Sequence, residues 1–131
     1  MTFARAVAAL LLGAALLPAC SSGPRTITVD MRYSHYLPVA LNVRAHETVR
    51  FTLVNQDPIT HEFIIGTAAQ QLAHENGPQV DHNGLPGQAS LGPGETRTIL
   101  FTFAGPGNLI FACHRPGHYA YGMRGTITIS G

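Results

Sequence analysis

The sequence predicts an all-β domain, a sandwich of two sheets closed around a shared apolar core. Seven short runs rich in β-branched and aromatic residues carry that expectation: TITVDM, VALNVR, TVRFTLVN, HEFIIG, TRTILFTF, NLIFAC and GTITIS. Several alternate with period two, turn signals such as LGPGET and AGPGN separate them, and helical periodicity is scarce. The 131 residues suffice for one such domain.

The chain opens with MTFARAVAALLLGAALLPAC, one early Arg followed by an apolar run and small residues, the pattern of an export signal. The apolar run is too short to span a bilayer comfortably. LPAC followed by SSG resembles a bacterial lipoprotein box, in which Cys20 would be lipidated and become the new N-terminus. The expected organisation is therefore a signal peptide over 1–19, a tether over 20–25 and one domain over 26–131. Cleavage to a soluble exported protein, or retention of a weak N-terminal anchor, are the alternatives. Once Cys20 carries lipid, Cys113 is the single remaining thiol, whereas exported domains ordinarily pair their cysteines as disulfides.

Along the domain, Val49, Phe51 and Leu53 fall on one face of their strand, with Arg50 and Thr52 opposite. Ile99, Phe101 and Phe103 repeat the pattern against Thr98 and Thr102. The segment 66–94 is the exception, long, polar and interrupted by Gly and Pro. TAAQQLAHEN within it suits a short helix, and the rest reads as irregular.

Composition excludes some partners. The eight basic residues, all Arg, are balanced by seven acids and form no basic stripe, so nucleic acid is not an expected partner. Seven histidines in so short a chain point instead to metal chemistry.

FACHRPGHYAYGMRG concentrates that chemistry in one loop. Cys113 ends an apolar strand, Pro116 and Gly117 turn the chain so that His118 comes back toward it, and Met123 sits just before the closing strand. His61 follows a Pro-containing turn and opens the strand HEFIIG, which can place its imidazole at the same end of the sandwich. Two imidazoles, one thiolate and one weak thioether form the donor set of blue-copper electron-transfer sites. Taken singly, Cys113 reads as a buried core thiol, His118 as a surface histidine and Met123 as core filling. The spacing is what favours the metal reading. His35, His46, His74, His82 and His114 read as solvated or structural, with His74 and His82 leaving open a second, weaker metal site on the long loop. Tyr33, Tyr36, Leu37 and Pro38 suit either a rim near the site or sandwich packing.

HEFIIG followed far downstream by LIFACHRPGHYAYGMRGTITI resembles the cupredoxin family of plastocyanin, azurin and rusticyanin. The resemblance covers most of residues 26–131, and its Cys-x4-His-x4-Met loop is highly specific. It implies a Greek-key β-sandwich of about seven to eight strands, one copper ion per chain cycling between Cu(I) and Cu(II), and His61, Cys113, His118 and Met123 as its ligands. It also implies single-electron transfer rather than substrate turnover, with Pro116, His118 and Tyr119 or Tyr121 marking the docking surface for a redox partner such as a cytochrome, oxidase or reductase. Many members carry Asn directly after the first histidine ligand. Here Glu62 stands there, able to bond a backbone amide near Cys113 or His114 or to face water.

Enzymatic readings fit less well. HEFII lacks the second histidine of the His-Glu-x-x-His zinc-protease motif. Nothing beside Cys113 and His118 reads as an oxyanion site for a thiol nucleophile, and paired His-x-His motifs of multicopper enzymes are missing from the sequence. The expectation is a monomeric, exported copper protein, lipidated at Cys20, that carries electrons outside the cytoplasm. Copper delivery, storage or tolerance is the alternative, and a sandwich module that has lost its metal is a third.

Overall fold

The computed structural model describes residues 23–131 apart from 79 and 81. The expected signal peptide and Cys20 lie outside these residues, as does half of the tether, 20–22. Among the described residues, nine strands form two sheets. The first sheet contains β1 (Arg25–Arg32), β2 (His35–Leu37), β4 (Thr48–Asn55) and β7 (Thr96–Thr102), in the order β2-β1-β4-β7. The second contains β3 (Ala40–Arg44), β5 (His61–Gly66), β6 (Gln88–Leu91), β8 (Gly107–Ala112) and β9 (Arg124–Ser130), in the order β3-β9-β8-β5-β6. β1 lies parallel to β4 and β3 parallel to β9, while the remaining neighbours are antiparallel.

All seven strand-like runs form strands, because each places apolar side chains on the face that meets the opposite sheet. Val49, Phe51 and Leu53 of β4 are buried against Phe63 of β5, Phe111 of β8 and Ile127 and Ile129 of β9. Phe51–Phe63, Phe63–Phe111 and Tyr36–Phe111 have ring centroids 5.5, 5.2 and 5.0 Å apart. Each such pair contributes roughly 0.5–1.5 kcal/mol beyond the area it buries. Tyr36 is thus sandwich packing, and its hydroxyl donates to the backbone carbonyl of Glu62.

Two short strands extend the expected count. β2 closes a hairpin through Tyr33 and Ser34, both with φ of +54°, the backbone of a turn usually made by Asn-Gly. Without that sequence signal the hairpin is invisible. β6 lies inside the segment that read as irregular. Its four residues pair with β5, His61 opposite Leu91 and Ile64 opposite Gln88.

The same segment holds the anticipated helix, α1 (Ala68–Glu75). Thr67 caps it: the hydroxyl accepts from Gln70 N–H while the Gln70 side chain accepts from Thr67 N–H, a capping box that satisfies two end donors. Gln71 on this helix is fully buried and donates to the carbonyls of Ile64 on β5 and Ile110 on β8, both at 2.8 Å. The helix therefore covers the outer face of the sheet there, which is why every residue of β5 is buried and the strand does not alternate.

β8 and β9 meet closely where Phe111 crosses Gly125. A Cβ on residue 125 would lie 2.1 Å from Phe111 Cζ and 2.6 Å from the Val39 carbonyl oxygen. Gly125→Ala is accordingly expected to destabilise the fold by about 1–3 kcal/mol, measured as a lower denaturant midpoint with an unchanged m-value.

Candidate metal centre

Strand register gathers the site. β5 and β8 run antiparallel with Ile64 opposite Ala112, so the start of β5 faces the end of β8. β8 and β9 pair Ala112 with Arg124, bringing the start of β9 to the same edge. His61, Cys113 and the loop leading to Met123 consequently lie at one end of the sandwich. The loop contains one helical turn, α2 (His118–Tyr121), bounded by Gly117 at φ +83° and Gly122 at φ +106°. Both glycines take the left-handed backbone that other residues resist, and this folds His118 back toward Cys113. Met123 N–H donates to the His118 carbonyl at 2.9 Å, and Cys113 N–H to the Met123 carbonyl at 3.1 Å.

His61, Cys113 and His118 form a cluster whose donor atoms all lie within 4.8 Å of one another. His118 Nδ1 is 3.3 Å from the Cys113 sulfur and 3.3 Å from His61 Nδ1. His61 and Cys113 are fully buried, and His118 is half-buried at the surface. Met123 is also buried, tied by its backbone to both Cys113 and His118.

The environment of the sulfur is distinctive. Burial raises the thiol from an ordinary 9.0 to about 11, although backbone N–H groups of Arg115 and Glu62 oppose the rise by donating to it. The Glu62 N–H lies 3.3 Å from the sulfur. At neutral pH the metal-free thiol therefore keeps its proton, and a metal must displace it. Burial, reinforced by the neighbouring His61 and Arg115, lowers the His118 imidazole below its usual value, which favours the neutral form that a metal requires. A buried sulfur and two imidazoles in close array fit copper: the sulfur suits Cu(I), and imidazole suits both oxidation states.

Glu62 occupies the position where the resemblance led to Asn, and it is buried rather than facing water. Its Oε2 accepts from the His114 backbone N–H at 3.2 Å, and its Oε1 pairs with Arg115 Nε at 3.2 Å. The side chain thus ties β5 to the chain just beyond Cys113.

Other residues around the site are not evident from the sequence. Asp57 Oδ2 lies 2.8 Å from His61 Nε2, and the carboxylate also accepts from the backbone of Tyr33 and Ser34. Burial pushes the Asp57 carboxyl upward, but those two amides and the His61 ring outweigh it and hold the group below the usual carboxylate range. An Asp in NQDP reads as ordinary turn chemistry, so only its position four residues before His61 hints at this contact. His114 is structural and buried: Nδ1 meets Glu75 Oε2 at 2.8 Å and Nε2 meets Gln71 Oε1 at 2.6 Å. Its ring stacks between His74 and Tyr119, with centroids 5.6 and 5.1 Å away. His82 is pinned by Gln88 at Nδ1, with its ring edge-on to His74 at 5.0 Å. His35 is exposed and bonded to the Tyr33 carbonyl. His46 sits in a turn at φ +62°.

A model of the cupredoxin-like domain matches residues 3–129. The chain belongs to this family. Among curated relatives, the cupredoxin-like chain is 36% identical over 110 residues to a copper-resistant cuproprotein, CopI, of Rubrivivax gelatinosus, the alignment covering 80% of this chain and 66% of the relative. A copper-resistant cuproprotein CopI of Pseudomonas aeruginosa is 29% identical over 137 residues, with 80% and 76% covered. Among solved structures, a dithionite-reduced auracyanin from Roseiflexus castenholzii superposes with a TM-score of 0.71 at 27% identity, covering 83% of this chain and all of that one, 100%. The Greek-key sandwich expected of the family agrees with this architecture.

The thiol gives a pH test on the metal-free protein. A folded value above the unfolded one means that the buried neutral thiol contributes stability fully below about pH 9, and that this is lost as pH rises through about 11. Cys113→Ser should remove that alkaline loss, read from denaturant midpoints at pH 7, 9 and 11.

Proposed function

We propose that the chain is an exported, mononuclear type 1 copper protein that carries single electrons between redox partners outside the cytoplasm. The observation that carries this reading is the convergence of His61 Nδ1, His118 Nδ1 and the Cys113 sulfur within 4.8 Å at one end of the sandwich. His61, Cys113 and His118 would hold the metal, with Met123 as the weak axial donor. Copper held by such a set supplies a one-electron couple between Cu(I) and Cu(II).

The chain's own part is to keep the donors fixed and dry. Cys113 and His61 are inaccessible to water, and the two amide donors to sulfur draw on its electron density in either oxidation state. His118 reaches the surface, which suits it as the point where a partner approaches. Nearby, exposed Tyr121 packs edge-on to His35 with centroids 5.4 Å apart. Such a weakly charged patch favours short-lived encounters with a redox protein. Electron carriage needs no substrate pocket, and no enzymatic turnover is proposed. Lipidation at Cys20 would hold the protein, as a monomer, on a membrane; among the described residues, no helix is long and apolar enough to cross one.

A second reading, copper delivery, storage or tolerance, is favoured by the copper-resistance names of the two relatives. The two separate on handling of Cu(I): a carrier keeps it through repeated redox cycles, whereas a delivery protein yields it to an acceptor protein or a competing Cu(I) chelator of matched affinity.

Copper-loaded protein is expected to be intensely coloured when oxidised and bleached by ascorbate, with the colour lost in Cys113→Ser. A colourless Cu(II) form overturns the reading. Met123→Leu should keep the colour and raise the potential in a redox titration; an unchanged spectrum and potential would remove Met123 from the site.

A further inference from the structure

We infer that Asp57 is a positioning residue for His61, selecting the ring tautomer that faces the site and lowering the redox potential. The inference rests on the copper reading above and extends it to a residue outside the donor set.

The geometry begins with the ring. His61 is fully buried, with Nδ1 turned toward His118 Nδ1 at 3.3 Å and Nε2 held 2.8 Å from Asp57 Oδ2. A neutral imidazole carries one N–H, and an ionised carboxylate only accepts. Asp57 therefore claims the proton for Nε2 and leaves the Nδ1 lone pair directed inward, where a metal needs it. The opposite tautomer would aim an N–H at the site and leave two acceptors facing each other.

Asp57 is itself immobilised. Its Oδ1 accepts from Tyr33 N–H at 2.7 Å and its Oδ2 from Ser34 N–H at 2.8 Å. Its own N–H donates to Asn55 Oδ1 at 3.0 Å, and Asn55 Nδ2 in turn donates to the carbonyls of Ile59 and Gly92 at 2.8 and 2.9 Å. Tyr33 and Ser34 hold a left-handed backbone that neither residue type prefers, and in it both amides converge on the one carboxylate. The β1–β2 hairpin, the turn before β5 and the ligand ring are thereby locked together.

Charge supplies the second effect. Asp57 is only 7% exposed, and its ion-pair contact is the ligand ring itself. Glu62, the other buried acid here, has a guanidinium partner in Arg115. A carboxylate bonded to a ligand imidazole strengthens it as a donor, and its negative charge stabilises the more positive, oxidised metal state. Both effects move the potential down.

The test uses the full chain loaded with copper. Asp57→Asn is expected to retain colour with an altered visible and EPR spectrum and an upward-shifted potential. Glu47→Gln, removing an acid bonded to Arg25 and Arg44, should leave the potential in place. In wild type, long-range ¹H–¹⁵N correlation should show His61 as the Nε2–H tautomer, with a downfield, slowly exchanging ring proton in both the metal-free and Cu(I) forms. An unchanged potential in a folded Asp57→Asn variant, or the Nδ1–H tautomer in wild type, overturns the inference. If Asp57→Asn fails to fold, the wild-type tautomer decides. Failure of wild type to give a coloured Cu(II) form would sink the copper reading instead, and the tautomer of the metal-free protein remains an independent measure of the Asp57 contact.

Discussion

A sulfur atom shut away from water is the constraint around which this molecule is arranged. Cys113 directly follows β8 and is buried in the core, where burial makes its bare anion costly. Amide donors from Glu62 and Arg115 soften that cost without removing it. A metal cation in direct contact would make a thiolate sustainable at this position. The two imidazoles that face the sulfur would supply further donors to it. Folding and metal binding are coupled for that reason: strands distant in sequence assemble the donors, and a bound ion favours the assembled state.

Polar groups around the donors are held as firmly as the apolar core. Asp57 and Glu62 are both buried acids, and each has been given partners suited to it: backbone amides and the His61 ring for Asp57, an amide and Arg115 for Glu62. Unpaired, either charge would oppose folding. Paired, they pin the turn before His61 and the loop that carries His118 to the rigid sheet. In the proposed electron carrier, little would then need to move when the metal changes charge.

The long segment between β5 and β7 acts as a buttress. Through Gln71 and Glu75, α1 grips both ring nitrogens of His114, the residue directly after Cys113, while Gln71 also bonds β5 and β8. The stack of His74, His114 and Tyr119 continues this support to the surface. A stretch with polar composition thus contributes to the interior, because its buried side chains satisfy the backbone carbonyls that they cover.

Local patterns were enough to reveal most of the fold. Alternation marked β4 and β7, since a strand with one buried face must repeat every second residue. The capping pair Thr67 and Gln70 begins a helix where the composition suggested one. The Cys113, His118 and Met123 spacing was legible because a single loop, turned by Pro116, Gly117 and Gly122, brings these residues together. The Tyr33–Ser34 hairpin was not legible because its turn lacks the usual Asn-Gly signal, and neither were Asp57, β6 and the cradle of His114. Their partners lie far along the chain, 24 residues away for Tyr33 and Asp57 and 43 for Gln71 and His114. No short-range rule records such a meeting. Sequence determines which residues can form strands and donate to a metal; the pairing of the strands decides which polar side chains stand behind those donors, because only the folded sheets bring them within hydrogen-bond reach.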